Sequence, residues 1–288
     1  MVKINIMKKI NIMKKINVVK KILIFTLIGI AFFGCNSNND DVLNDSDYAE
    51  YMIENSIDTE INFMAEEIYT TNETQEPALK LKLITSKIFP CINYKLTTTE
   101  FINGNELIVR FEQIIEPILC LTVLGPATSY IELPENINKI TFLNGRVIDK
   151  YFIEINQQKI SLTLIENNFT TSLYNKTFRI PENSFAYVCG TNTTNTNIYT
   201  DFSEIIEQNP DFIEFDFDGE GRIPYPETTN GNYANHPSKY YKYTSSLEFN
   251  KLANIMNEYS SENIEENSGV SISTISWNNL KFCSWLEN

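Results

Sequence analysis

The sequence predicts a β-rich α+β protein. Its 288 residues are 42% hydrophobic and 21% charged, the composition of a folded chain with one or two cores. Between residues 79 and 165, short β-branched segments alternate with Gly, Pro and Asn turn signals. Beyond residue 184 that rhythm gives way to strands mixed with amphipathic helical stretches.

Taken in order, the region from Ser46 to Tyr69 reads as a helix, because Met52, Ile53, Ile57, Ile61, Met64, Ala65 and Ile68 recur at spacings near three and four. A polar break over Thr70–Pro77 follows. Strands are expected near Leu79–Ile88, Cys91–Thr98, Glu106–Gln113, Ile118–Val123, Lys139–Leu143, Asp149–Ile155 and Lys159–Ile165. Turns fall at Asn103-Gly104-Asn105, Gly125-Pro126, Pro134–Asn136, Asn144-Gly145 and Asn156–Gln158. Short strands at this spacing predict an immunoglobulin-like β-sandwich, and with the leading helix they make a module over 46–170. In 171–288 strands are expected at Ser184–Cys189, Asp211–Phe217 and Tyr240–Tyr243, and helices at Phe202–Gln208 and Leu247–Tyr259. A hairpin over Val270–Trp277 and Leu280–Trp285 closes the chain. The order β-α-β-β-α-β is that of a small ferredoxin-like α+β module with one extra strand.

The first 34 residues read as an address. They hold seven Lys and no acid, and Ile22–Phe33 is an apolar run broken only by Thr26 and Gly29. A basic region before a short apolar one is a secretory signal, and the run is too short to span a bilayer, which takes about 20 residues. It ends at Gly34-Cys35 and there resembles the lipobox of bacterial lipoproteins, although Phe32 and Phe33 depart from the usual pattern. The resemblance implies a lipidated Cys35 and a flexible tether over 35–45; the alternative is an ordinary signal cut near Gly34. The Asp-rich stretch from Asn36 to Asp47 is similar to the export signal of Bacteroidota-type outer-membrane lipoproteins, and it equally suits a plain solvated linker. The implied location is the cell envelope, at the outer membrane.

The net charge is −14; without residues 1–34, 16 basic residues stand against 37 acidic ones, giving −21. No basic face is available to neutralise phosphates, so nucleic acid is excluded as a partner, and the membrane would be met through lipid rather than charge. Besides Cys35 the chain has Cys91, Cys120, Cys189 and Cys283, and an even number in an exported protein favours disulfides. Of the three pairings, Cys91–Cys120 and Cys189–Cys283 keep each bond within one module. The segments Cys91–Leu96 and Ile118–Ala127 also resemble uncharacterised lipoproteins of the same bacterial group, a likeness that implies no activity.

One segment carries a metal pattern. Asp216-Phe-Asp-Gly-Glu-Gly-Arg-Ile-Pro-Tyr-Pro-Glu227 resembles the EF-hand calcium loop, with Asp216, Asp218 and Glu220 as the first ligands, the Arg222 carbonyl next, and Glu227 as the bidentate closing acid. Pro224 and Pro226, and the missing exiting helix, depart from that pattern, and the competing reading is an acidic surface turn. Calcium is thus a candidate ligand. Tyr225, Tyr233, Tyr240, Tyr241 and Tyr243 lie near this loop and suit either core packing or a sugar-binding or peptide-binding surface. The lone His236 and the adjacent pairs Glu66-Glu67 and Glu265-Glu266 read as satisfied or solvated side chains. No nucleophile motif, zinc motif, P-loop or dinucleotide fingerprint occurs. The leading expectation is a lipid-anchored, non-catalytic binding or structural module with a glycan or protein ligand. The alternatives are an exported carboxylate-dependent hydrolase directed at polysaccharide, and an inhibitor or partner of an envelope enzyme.

Overall fold

The computed structural model describes residues 45–286; the expected signal, Cys35 and most of the tether lie outside them. A 3₁₀ turn, Asp45–Tyr48, precedes a compact unit that begins at Ala49. Among the described residues that unit is β-rich, with two sheets and two α-helices.

The first sheet holds β1 (Ile61–Ile68), β2 (Ala78–Phe89), β3 (Lys95–Asn103), β4 (Glu106–Ile115), β5 (Gly125–Glu132), β6 (Lys139–Asn144), β7 (Val147–Ile155), β8 (Lys159–Glu166), β9 (Thr170–Ser172) and β10 (Lys176–Phe178). Its order is β10-β8-β7-β6-β4-β3-β5-β2-β1-β9. The ladder is mixed, with parallel pairs β1/β9, β3/β5 and β4/β6, and β3 meets β5 only at Lys95 and Thr128. In a flat sheet β1 and β6 would lie about 24 Å apart, at about 4.8 Å per strand. Yet the Phe63 ring of β1 sits 4.7 Å from Phe142 of β6 and 4.8 Å from Tyr151 of β7. The sheet therefore curls on itself, around one core that includes Ile61, Phe63, Leu81, Val109, Phe111 and Phe142. Its two edge strands are joined by residues 173–175. There Leu173 N–H donates to Phe63 O and Leu162 N–H donates to Asn175 O, each at 2.8 Å, so the curled sheet draws its own edges together.

Two expected elements differ. The helix over 46–69 is instead coil followed by β1. Ile61, Phe63 and Ala65 point inward with period two, and pairing to β2 and β9 outweighs the helix-like spacing. The expected strand Ile118–Val123 is an exposed loop, and Gly125-Pro126, expected as a turn, opens β5. The expected two-sheet sandwich is replaced by one continuous ladder, which runs past residue 170 to Phe178.

The second sheet holds β11 (Ser184–Thr191), β12 (Phe212–Phe215), β13 (Ala234–Asn235), β14 (Lys239–Tyr243), β15 (Ser271–Ser276) and β16 (Lys281–Cys283), in the order β12-β14-β11-β15-β16 with β13 beside β11. All its pairs are antiparallel. Helices α1 (Ile198–Glu207) and α2 (Ser246–Asn263) pack on the face that carries Phe185, Tyr187, Cys189 and Tyr241. The Ser245 hydroxyl starts α2 by accepting the Leu247 N–H. Ala186 and Val188 point the other way, into a cluster with Tyr225, Tyr240 and Ile180 that Tyr69 and Trp277 border. Alternation along β11 thus buries both faces of the strand, one under helices and one toward the first sheet.

Candidate functional site

The structure does not bring the expected calcium ligands together. Asp216, Asp218, Glu220 and Glu227 are all exposed, and among the described residues no group of three or more His, Cys, Asp or Glu has metal-binding geometry. The entering segment is strand β12 rather than a helix. The loop is used otherwise. Arg222 N–H donates to Lys176 O and Arg222 O accepts from Phe178 N–H, both at 2.9 Å, which lays the loop along β10. Gly221 permits this, because a Cβ there would meet Lys176 Cε and a Phe178 ring carbon at 3.0 Å each. The Arg222 side chain pairs with Glu66 at 2.6 Å.

The cysteines divide. Cys91 and Cys120 form the expected disulfide. Cys189 and Cys283 do not; both are buried thiols that take part in no disulfide. Cys189 pairs in register with Ile272 and Cys283 with Ser273, so strand β15 lies between them. Two strand spacings are about 9–10 Å, beyond the roughly 7 Å that a disulfide tolerates. Burial pushes the Cys189 thiol up to about 11, the state of an inert thiol. His236 is also occupied: it stacks on Tyr199 at 4.6 Å, and its Nε2 is 2.8 Å from Thr191 Oγ1. Four of the five tyrosines near the acidic loop are buried, and Tyr233 is exposed.

The sequence reading missed the part played by the acids. Glu66 and Glu67, expected as solvated, are buried on opposite faces of β1. Glu66 takes Arg222 and, at 3.8 Å, Lys82. Glu67 accepts from Arg179 Nε at 2.8 Å and from Ile180 N–H at 2.6 Å. Asp149 is fully buried and accepts from the backbone N–H groups of Asn168, Phe169 and Thr170 and from the Thr170 hydroxyl. Buried Glu106 takes Thr141 and Lys139. Among the described residues, every buried acid is thus held by the chain's own donors.

An open cleft of about 510 Å³ lies where the two sheets meet. Arg179, clamped between Glu67 and Glu135 at 2.8 Å each, forms one wall. Glu76, Glu182, Gln157, Gln158, Lys242 and Trp277 also line it, beside Pro77, Ile180 and Pro181. Trp277 is fixed there by its main chain: its N–H donates to Ser184 O, and its O accepts from the Tyr69 hydroxyl. Amides, unpaired acids and one indole can hydrogen-bond a neutral or cationic polar ligand and stack on its apolar face. Among the described residues no helix is long and apolar enough to cross a membrane. Searches against protein-family models, curated proteins and solved structures return no match to this chain.

Proposed function

We propose that the chain is a lipid-anchored cell-envelope protein that acts as a non-catalytic binding module, with the cleft at Arg179 and Trp277 as its ligand site. The observation that carries this reading is the saturation of the buried acids. A general acid or base needs a carboxyl free to exchange a proton with substrate. Glu66, Glu67, Glu106 and Asp149 already accept hydrogen bonds or ion pairs from this chain. The residues left to meet a ligand, Glu76, Glu182, Gln157, Gln158 and Trp277, are suited to recognition. Their balance is acidic, which favours a sugar or peptide that is neutral or basic. The second sheet supports a ferredoxin-like module at the finer level: in chain order its first four long strands lie 2-3-1-4, with both helices on one face.

The test is a titration of the full chain with a glucosamine hexamer, read by tryptophan fluorescence with Trp277→Phe as the control and followed by analysis of the sugar. A saturable change that Trp277→Phe removes, with the hexamer intact, is expected. A shortened hexamer would establish the hydrolase instead. For the anchor, fatty-acid labelling should disappear in Cys35→Ala; retained labelling would overturn that part of the reading.

A further inference from the structure

We propose that the cleft at Arg179 and Trp277 recognises a protonated amine on its ligand, so that it takes an amino sugar in preference to a neutral one; the proposal rests on the reading of this cleft as the ligand site. Six charged side chains line the cleft, Glu67, Glu76, Glu135 and Glu182 against Arg179 and Lys242. Arg179 is taken up by Glu67 and Glu135. The Lys242 ammonium lies 5.5 Å over the Phe215 ring. Glu76 and Glu182 are exposed and enter no salt bridge among the described residues. The charge left to meet a ligand is therefore negative.

Both acids are brought to Trp277 by the backbone. Gln75 N–H donates to Asn278 O at 3.0 Å, and Asn279 Nδ2 donates to Thr71 O and Glu73 O at 3.2 Å each, so the segment that carries Glu76 is tied to the turn after Trp277. Glu182 lies in the connection between β10 and β11, two residues before Ser184, whose O accepts the Trp277 N–H at 2.8 Å. Trp277 is half-buried and packs against the cluster that holds Tyr225 and Tyr240. An ammonium beside an indole and two carboxylates gains a cation–π contact and charge-assisted hydrogen bonds. The lining favours a sugar over a peptide as the carrier of that amine. An extended peptide joins a sheet through free main-chain groups. Here Arg179 N–H donates to Gln158 O, Ile180 N–H to Glu67, and Trp277 uses both its N–H and its O. Lys242 is paired on both sides, with Ser184 and Ile213. Recognition falls to side chains, and the Gln157 and Gln158 amides with the indole suit the hydroxyls and the ring face of a sugar.

The experiment titrates the full chain with a glucosamine hexamer and with its N-acetylated counterpart, at a pH where the free amine is protonated, and reads tryptophan fluorescence. The glucosamine hexamer is expected to bind about tenfold more tightly, the scale of two exposed ion pairs and a cation–π contact. Glu76→Gln combined with Glu182→Gln should remove that preference and leave binding of the N-acetylated hexamer unchanged. Glu265→Gln combined with Glu266→Gln, at exposed acids outside the cleft, should keep the preference, which separates the site from the net charge of −14. All four positions are exposed, so folding, checked by circular dichroism, should be unchanged. Equal affinity for the two hexamers, or a preference that survives the cleft substitutions, overturns amine recognition and leaves the cleft standing as a ligand site. Failure of both hexamers to bind overturns the cleft as a sugar site and the amine recognition with it. A lysine hexamer bound more tightly than the glucosamine hexamer, again through Glu76 and Glu182, makes the ligand a basic peptide and overturns the amino sugar.

Discussion

Glu66 and Glu67 are neighbours in sequence that serve opposite faces of one strand. A helix would have left both on a solvated surface; in β1 each reaches an arginine more than a hundred residues away. The sequence shows the acids and the arginines but not this pairing, because nothing local to residues 66 and 67 points to 179 or 222. Glu67→Ala should lower stability by about 3 kcal/mol, since it leaves the Arg179 side chain and the Ile180 N–H with a lost buried partner. A urea denaturation midpoint within error of the parent would contradict this. The buried protonated groups set an alkaline limit. Burial is the main cause that pushes Cys189 up to about 11 and Tyr240 and Tyr259 up to about 12. These groups keep their protons in the folded chain at pH values where the unfolded chain has lost them. Their contribution is therefore complete below about pH 9 and is lost as pH rises through about 11 to 12. Melting temperatures measured from pH 8 to 12 should fall steadily across that window; a flat profile would contradict the burial of these groups.

At the scale of elements, β2, β4, β6, β7 and β8 were legible because turn chemistry is local: Gly104, Gly145 and Asn156 mark where the backbone reverses, whereas β5 was not, since Gly125-Pro126 reads as a turn and opens a strand instead. Strands β9 and β10 were not legible. Each has three residues, and each exists because a long-range partner, β1 or β8, offers an edge. The Cys91–Cys120 bond was legible from chain proximity, whereas the fate of Cys189 and Cys283 depended on β15 running between them. Reducing Cys91–Cys120, which spans 29 residues, should cost about 3–4 kcal/mol by loop entropy. Calorimetry with and without reductant measures it. Gly190 is a second structural staple: an added Cβ would come within 2.2 Å of Asn232 and 2.5 Å of Thr229. Gly190→Ala should therefore destabilise by about 1–3 kcal/mol as the segment around residues 229–235 is pushed from β11. An unchanged melting temperature would show that the segment yields freely.

At the scale of the whole molecule, the fold class was legible from composition and rhythm, while the curl of the first sheet was not. Closure depends on Phe63 meeting Phe142 and Tyr151 across the core and on residues 173–175 joining the two edges, contacts that no local pattern encodes. The candidate site shares that origin. Glu67 and Glu76 come from the start of the first sheet, Arg179 from its end and Trp277 from the end of the second, so the cleft exists only once both sheets are in place. The acidic loop was legible as a motif, but its tertiary setting was not: the fold spends Arg222 on β10 and Glu66. The central claim is that this junction receives a ligand without performing chemistry on it. Amide hydrogen exchange of the full chain, with and without the glucosamine hexamer, tests it most directly. Slowed exchange concentrated at residues 157–158, 179–182 and 277, with the hexamer recovered intact, is the predicted result. Exchange unchanged at these positions, or a hexamer recovered in pieces, would contradict it.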